Sequence, residues 1–255
     1  MKFIHNISKS LDKSTSKDTN INKKNNITNL LDFIYPPRCI ACHELLLPFK
    51  EQFICPDCTE VLTPIPAPFC VCGRPKRECG TCGPHNFTQN TGAFFYSGIC
   101  QDIIYKFKYA KKPFMAKGMA ILMSQTIDKS VFENIDCIIP VPIHKNRMRK
   151  RGFNQAHLLA KHLSYLVFVP VAKNALIRTK DTKPLANFTP AHRQNTLANA
   201  FTADKKQLYD KRILLIDDIY TTGSTLNACA KVLYENGATA VSCATFSIVN
   251  NEKTK

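Results

Sequence analysis

The chain has 255 residues, 44% of them hydrophobic, and its 35 basic and 19 acidic residues give a formal net charge of +16. This charge favours polyanionic partners, such as nucleic acid, phosphorylated metabolites or an anionic membrane surface; a basic surface that only confers solubility is the alternative. No stretch is long and apolar enough to span a membrane, and the N-terminus lacks the apolar segment of a secretory signal. These features exclude a membrane span and lead us to expect a cytoplasmic protein.

Three regions follow one another along the chain. Residues 1–28 are rich in Lys, Ser and Asn and predict a disordered basic tail, because their apolar surface is too small to offset chain entropy. An organellar transit peptide is the alternative reading of this segment. Residues 29–88 hold most of the cysteines and predict a small zinc-binding module, and residues 89–255 predict an α/β domain.

Eight of the twelve cysteines lie in closely spaced pairs near the N-terminus. Two C-x-x-C turns twelve residues apart can direct four thiolates at one ion, which predicts a zinc site at Cys39, Cys42, Cys55 and Cys58. A less regular set favours a second zinc over thiols that hold no metal, with His43 and His85 as substitute ligands; it comprises Cys70, Cys72, Cys79 and Cys82. The other four are expected in the hydrophobic core: Cys100, Cys137, Cys229 and Cys243.

From residue 89 onward, apolar strands alternate with amphipathic helices. In chain order the predicted elements are a strand at "TGAFFYSG", helical residues 100–127 with a break near Pro113, a strand at "IDCIIPVP", a helix at "FNQAHLLAKHLSYL", a strand at "RILLIDD", a helix at "STLNACAKVLYENG" and a final strand at "AVSCATFSIV". Buried strands that alternate with helices predict a doubly wound parallel sheet.

Two adjacent acids, Asp217 and Asp218, end one predicted strand, where doubly wound sheets bind their ligands. Two such carboxylates are satisfied by the hydroxyls of a ribose or by Mg²⁺. A loop of hydroxyls and one glycine follows at the start of a helix, where a phosphate binds well: Thr221, Thr222, Gly223, Ser224 and Thr225. The pattern predicts a phosphoribosyl site; a capped helix after a strand accounts for only part of it.

The segment "LLIDDIYTTGST" resembles the phosphoribosyl pyrophosphate (PRPP) motif of type I phosphoribosyltransferases. From about Leu30 to the final strand the chain also resembles the ComF family, in the segments "PPRCIACHELL", "CPDC", "CGRP", "IIPVPIHKNRMRKRGFNQAHLLAKHL" and "ALIRTKDTKPLANFTPAHRQNTLANAF". The resemblance implies a zinc finger joined to a type I phosphoribosyltransferase-like domain. It also implies a part in DNA uptake by naturally competent bacteria, with a competence helicase as a partner.

The resemblance assigns roles to individual residues. Asp217 and Asp218 become the catalytic, ribose-binding acids that hold PRPP with Mg²⁺, and the loop of residues 221–225 holds its 5′-phosphate. Contacts to pyrophosphate or DNA are implied for Arg147, Arg149, Arg151, Gly152 and Asn154. A flexible loop that closes over the site is implied to include Arg178, Arg193 and Asn195. Two departures from the family pattern are Leu185, where Gln is frequent, and the C-x-C spacing of Cys70 and Cys72.

Three functions of different classes fit these residues. The chain is a phosphoribosyltransferase with an unknown acceptor, a PRPP-responsive protein that handles single-stranded DNA, or a zinc-dependent adaptor; no residue set predicts a pocket for a nucleobase. In "YKFKYAKK", Tyr105, Phe107 and Tyr109 alternate with lysines, which suits stacking on single-stranded DNA. An amphipathic helix with buried aromatic rings and lysines that reach solvent is the favoured alternative.

Overall fold

The computed structural model describes residues 36–47, 52–66, 70–75, 79, 84–181, 197 and 199–250. The predicted tail, Cys82, Leu185, Arg193 and Asn195 lie outside these residues. The chain divides into two compact units, Met1–Asp57 and Cys58–Lys255.

The first unit contains a tight turn around Cys39. The Cys39 amide donates to the Glu44 carbonyl over 2.9 Å, and the His43 amide donates to the Cys39 carbonyl over 3.0 Å. His43 has a φ of 67°, the left-handed conformation that closes such a turn. Arg38 and Leu45 pair as an antiparallel bridge on either side of the turn. The first C-x-x-C therefore lies in a closed turn, here called the first knuckle.

The second unit is built on a parallel sheet. The strands of the described residues are β1 (Gln89–Phe95), β2 (Cys137–Pro140), β3 (Leu176–Arg178), β4 (Phe201–Ala203), β5 (Arg212–Tyr220) and β6 (Ala240–Ile248). Four of them form one sheet in the order β1-β6-β5-β2, and every neighbouring pair is parallel. Strands β3 and β4 form a separate antiparallel pair. The prediction of a parallel α/β sheet is confirmed.

Helices connect these strands. The described α-helices are α1 (Pro56–Val61), α2 (Gly98–Tyr109), α3 (Met115–Thr126), α4 (Lys145–Arg151), α5 (Gln155–Val167), α6 (Lys205–Leu208) and α7 (Ser224–Glu235), with a 3₁₀ turn at Lys129–Phe132. Pro113 lies between α2 and α3, as predicted, because proline cannot continue the hydrogen bonding of a helix. The second C-x-x-C pair lies at the start of α1, with Cys55 just before the helix and Cys58 in its first turn.

Helix α4 was not predicted, since five of its seven residues are basic and it lacks an apolar stripe. Hydrogen bonds at its two ends explain why this helix forms. The His144 side chain accepts a hydrogen bond from the Asn146 amide at the start, and Gly152 ends the helix with a φ of 84°. The Gly152 amide donates to the Met148 carbonyl over 2.7 Å. Capping at both ends stabilises a helix where composition alone indicates a loop.

Both faces of strand β5 are covered. Ile213 and Leu215 belong to a buried cluster that includes residues of α7. Leu214 and Ile216 point to the opposite face, because side chains alternate along a strand, and they are also fully buried. The four cysteines predicted in the core, Cys100, Cys137, Cys229 and Cys243, are buried. None of the helices in the described part of the chain is long and apolar enough to cross a membrane.

Candidate functional site

A cavity of about 480 Å³ opens at the carboxyl ends of β2 and β5. This is the edge at which parallel α/β sheets bind ligands. The residues that line it come from five segments of the second unit: Lys108, Val141, Pro142, Ile143, Arg147, Arg151, Asn154, Gln155, Ala156, Arg178 and residues 217–226. The structure thus brings together the predicted acids, the predicted hydroxyl loop and part of the predicted basic set.

The loop of residues 221–225 joins β5 to α7. Gly223 is the residue before the helix and has a φ of 75°, a left-handed conformation suited to glycine. Thr222 and Ser224 share a hydrogen bond between their hydroxyl oxygens at 2.9 Å. The first turn of a helix leaves backbone amides without partners inside the helix, and those amides attract anions. The loop therefore has the composition and position of a phosphate cradle.

Gly223 is also required by packing behind the loop. A Cβ atom added there would lie 2.5 Å from the Tyr220 hydroxyl oxygen. A side chain at this position would therefore clash with Tyr220 and strain the backbone, in addition to obstructing a ligand.

Strand β5 continues to Tyr220, so Asp217 and Asp218 lie inside the strand, three and two residues before its end. Asp218 is buried and Asp217 partly buried. The Asp218 amide donates to Asp217 Oδ1 over 2.9 Å. Burial, followed by the charge of Asp218, raises the pKa of Asp217 to about 7, against the opposing effects of Lys108, the Asp218 amide and Arg178. The acids form a site in which a cation or hydroxyl donors would stabilise the ionised form.

Lys108 is a site residue that sequence reasoning missed. Its Nζ lies 2.8 Å from Asp218 Oδ1, and its side chain is 18% exposed. Burial alone would lower the pKa of Lys108, but the attraction of Asp218 raises it above the ordinary value. A signal was available, because Lys108 follows the buried Ile104 by four residues and so lies on the buried face of α2.

Helix α4 directs two of its three predicted arginines to the cavity. Arg147 and Arg151 are four residues apart, so they share a face of the helix, and both line the cavity. Arg149 is two positions from each of them, so it lies on a different face of the helix, and it does not line the cavity. The Arg151 guanidinium donates to Gln155 Oε1 over 3.1 Å.

Two further predicted residues complete the wall. Asn154 lines the cavity, donates its side-chain amide to the Val141 carbonyl over 3.0 Å and caps α5. Arg178, predicted in a flexible loop, is instead buried on β3, and its guanidinium lies 5.4 Å from the centre of the Phe201 ring.

The cavity lining holds four cationic side chains and two carboxylates: Lys108, Arg147, Arg151 and Arg178, with Asp217 and Asp218. The excess of positive charge suits a ligand with several negative charges.

The first cysteine set is arranged for a metal. The sulfur atoms of Cys39, Cys42, Cys55 and Cys58 all lie within 4.8 Å of one another. The Cys55 amide donates to Cys39 Sγ over 3.4 Å. Burial would raise the pKa of Cys39, but hydrogen bonds from backbone amides, that of Cys55 foremost, lower it to about 7. Four converging thiols with one favoured as thiolate fit a tetrahedral zinc site.

The second set also converges. The sulfur atoms of Cys70, Cys72 and Cys79 lie within 4.8 Å of one another, with Cys72 and Cys79 at 3.4 Å. Neither histidine proposed as a substitute ligand belongs to a thiol set among the described residues; the ring of His85 stacks on Phe87 at 4.7 Å. The C-x-C spacing therefore does not prevent convergence.

We expect about two zinc ions per chain, one for each thiol set. Cys55→Ser should lower the zinc content by about one ion and unfold the first knuckle, because apo zinc modules rarely fold alone. The parallel sheet should remain folded by circular dichroism, and Cys137→Ala, a core substitution, should retain all zinc by elemental analysis. Purified protein without zinc would contradict both assignments.

The raised pKa of Asp217 predicts a pH dependence of stability. A carboxyl with a folded-state pKa of about 7, above its ordinary 3.8, contributes stability below pH 3.8 that is lost as the pH rises through 7. Lys108, Asp218, Arg178 and Cys229 face this group and remain in Asp217→Asn. In urea unfolding without Mg²⁺, we compare the free energy of unfolding at pH 5 and at pH 8. Between these two values it should fall by at least ~1 kcal/mol more in the wild-type protein than in Asp217→Asn. Parallel stability curves for the two proteins would contradict this prediction.

Comparisons with known proteins agree with this architecture. Residues 108–255 match the phosphoribosyl transferase domain family, and residues 30–103 match the double zinc ribbon domain. Competence protein ComFC of Bacillus subtilis (strain 168) is 27% identical, over 83% of this chain and 90% of that protein. Competence protein F of Haemophilus influenzae is 29% identical, over 78% and 92%. DNA utilization protein YhgH of Escherichia coli (strain K12) is 27% identical, over 67% and 79%.

Among solved structures, the purine phosphoribosyltransferase from Pyrococcus horikoshii is similar to 54% of this chain, over 75% of its own length, at 18% identity and a TM-score of 0.34. The family match to the phosphoribosyl transferase domain spans more than half of this chain. The chain therefore belongs to the phosphoribosyl transferase domain family.

Proposed function

We propose that this protein binds PRPP with Mg²⁺ in the cavity and acts on single-stranded DNA during DNA uptake, in the cytoplasm. The observation that carries the proposal is one cavity in which two carboxylates, a hydroxyl loop at a helix start and an excess of cationic side chains meet. Asp217 and Asp218 would hold the ribose hydroxyls, directly or through Mg²⁺. Residues 221–225 would hold the 5′-phosphate, and Arg147 and Arg151 the pyrophosphate.

Each group has a distinct physical task in this proposal. Lys108 pairs with Asp218 over 2.8 Å and holds its carboxyl group in place, so that its oxygens can accept hydrogen bonds from ribose hydroxyls. The arginines supply forked donors for phosphate oxygens, and the loop supplies amides and hydroxyls. When bound, Mg²⁺ would offset the charge of the pyrophosphate and make it a better leaving group.

Binding of PRPP is better supported than its transfer to a nucleobase. Tyr220 is the one aromatic residue among the described lining residues, and it is buried behind the loop. A base acceptor would be expected to stack on an exposed ring, which that part of the wall does not offer. Phosphoribosyl transfer to another acceptor is the second candidate function, favoured by the intact pair of acids and phosphate loop.

Exposed aromatic rings beside the cavity support contact with single-stranded DNA. The rings of Tyr105 and Tyr109 of α2 contact each other at a tilt of 46°, with their centres 5.1 Å apart, and the two residues are 65% and 60% exposed. The Arg151 guanidinium lies 5.6 Å from the centre of the Tyr109 ring. Only Phe107 of the three aromatic residues is buried, so the amphipathic-helix alternative holds for one ring and not for the other two. Exposed rings next to arginine are typical of surfaces that stack bases.

The names of the relatives point the same way, since they are competence and DNA utilization proteins. We extend that role to this chain as part of the proposal, with a competence helicase as the partner that a ComF protein would serve.

The PRPP assignment is tested by calorimetric titration with PRPP and Mg²⁺. Asp217→Asn should weaken binding by at least ~2 kcal/mol, about 30-fold, through loss of charged hydrogen bonds. Asp217→Asn with Asp218→Asn should weaken it further, although the buried Lys108 then lacks its partner and the fold must be verified by circular dichroism. Asp102→Asn, exposed on α2, is the matched control.

Two outcomes separate the parts of this proposal. Wild-type protein that shows no PRPP binding would eliminate the phosphoribosyl function. Undiminished affinity in Asp217→Asn would remove the assigned role of that acid while leaving PRPP as the ligand.

The DNA assignment is tested by fluorescence anisotropy with a labelled single-stranded oligonucleotide. Affinity should fall steeply with rising salt, because each neutralised phosphate releases counterions. Tyr105→Ala with Tyr109→Ala should weaken binding by roughly 1–3 kcal/mol per unstacked base. Tyr165→Ala is the matched control, since this tyrosine of α5 is 67% exposed and outside the pair. Equal losses in the control and the double variant, or affinity independent of salt, would contradict this surface.

A further inference from the structure

The turn of residues 70–74, here called the second knuckle, contacts the loop of residues 221–225, here called the phosphate loop, through one buried arginine. Arg74 is 6% exposed, and its guanidinium reaches three acceptors. Its Nη2 donates to the Thr221 carbonyl over 2.8 Å, its Nε donates to the Val249 carbonyl over 3.1 Å, and its Nη1 donates to Cys72 Sγ over 3.7 Å. One side chain therefore donates hydrogen bonds both to a thiol of the metal set and to the first peptide of the phosphate loop.

The bond to Thr221 sets the orientation of the loop. A trans peptide is planar, so the Thr222 amide hydrogen points opposite to the Thr221 carbonyl and away from Arg74. The guanidinium also lies 5.3 Å from the centre of the Tyr220 ring, the ring that packs beneath Gly223. Arg74 and Tyr220 together therefore support the loop from the side opposite to its exposed amide.

The other end of this contact is equally constrained. The Cys70 amide donates to the Arg74 carbonyl over 2.8 Å, so the turn that brings Cys70 and Cys72 together also places Arg74. Gly73 has a φ of +85°, and a Cβ there would lie 2.5 Å from the Asn90 carbonyl oxygen. Asn90 in turn donates its side-chain amide to the Cys72 carbonyl over 2.9 Å. The knuckle is therefore fixed against strand β1 while Arg74 extends from it to the loop.

Metal binding would strengthen this connection. A metal holds cysteine as thiolate, and a hydrogen bond from a guanidinium to a charged acceptor is stronger than one to a neutral thiol. A metal at this knuckle would also limit the freedom of the turn that carries Arg74. Loading of the thiols and order in the loop should then favour each other.

We propose that Arg74 is a positioning residue that couples a metal at Cys70, Cys72 and Cys79 to the anion-binding conformation of the phosphate loop. Coupling is reciprocal, so an anion in the loop protects the knuckle and a loaded knuckle increases anion affinity. The identity of the anion as PRPP rests on the proposed function, whereas the connection between knuckle and loop stands on the contacts of Arg74.

The test uses zinc-loaded full-length protein and two readouts. Alkylation of individual cysteines, followed by peptide mass spectrometry, reports opening of each thiol set, with Cys39 and Cys42 as the internal reference. Hydrogen exchange of the amides of residues 220–225 reports order in the loop without any ligand. Arg74→Met removes the donors, Arg74→Lys keeps one charge without the fork, and Lys231→Met, 66% exposed on α7, is the control for charge.

In the wild type, saturating PRPP with Mg²⁺ should slow alkylation of Cys70, Cys72 and Cys79 at least ~5-fold and leave the reference cysteines unchanged. Arg74→Met should abolish that protection and accelerate exchange of the loop amides about ten-fold, the effect of losing roughly one buried hydrogen bond. Arg74→Lys should retain part of the protection, and Lys231→Met should match the wild type. A role for Arg74 in general stability alone would leave the protection ratio unchanged.

Two results would overturn the coupling, and a third would separate it from the proposed function. The coupling is wrong if the loop amides of both Arg74→Met and Arg74→Lys exchange hydrogen at the wild-type rate. If wild-type protein binds PRPP by calorimetry but its second thiol set is alkylated at an unchanged rate, the coupling is wrong and the proposed function stands. If wild-type protein does not bind PRPP, the proposed function fails, and loop exchange in the two Arg74 variants decides the coupling. If Arg74→Met does not fold, Arg74→Lys and the wild-type protection ratio decide it.

Discussion

The site depends on how strand β5 ends. Residues 213–216 are fully buried at the centre of the parallel sheet, so the backbone that follows them has little freedom. That backbone carries two neighbouring carboxylates into a place of low polarity, where two unpaired negative charges would be costly. Lys108 from α2 offsets one of them across 2.8 Å, and the pKa of the other rises to about 7. Ligand binding at this site therefore begins from a partly neutralised pair of acids.

The other charges of the cavity come from elements that are far apart in the sequence. Arg147 and Arg151 are on one face of α4, and Arg178 is on β3. Each is placed by a local feature, namely the capping of a short helix or the pairing of a short strand, and tertiary packing brings all three to one cavity. A phosphate-rich ligand with a sugar between its charged ends fits such a distribution better than nucleic acid alone, because the acids need hydroxyl or metal partners. The exposed tyrosines lie outside the cavity and suit a second, larger ligand.

The cysteine-rich segment also contacts the loop that follows β5. Its second knuckle belongs to the same compact unit as the sheet, and its Arg74 reaches the Thr221 carbonyl. Tyr220 is central to this arrangement because Arg74 lies over its ring and Gly223 leaves room for its hydroxyl. A glycine that sequence reasoning explains by ligand access is thus also explained by what lies behind the loop.

By itself the sequence determined the parallel α/β class, most of the helices and strands, the two thiol sets and the loop after β5. These features follow from local spacing: periodicity of apolar residues, C-x-x-C turns, and hydroxyls beside a glycine. The tertiary structure alone decided that Lys108 pairs with Asp218, that Arg149 turns away while Arg147 and Arg151 face the cavity, and that Arg74 supports the loop. Those contacts join residues up to 147 positions apart, and local patterns do not record which distant groups the packing of a sheet brings together.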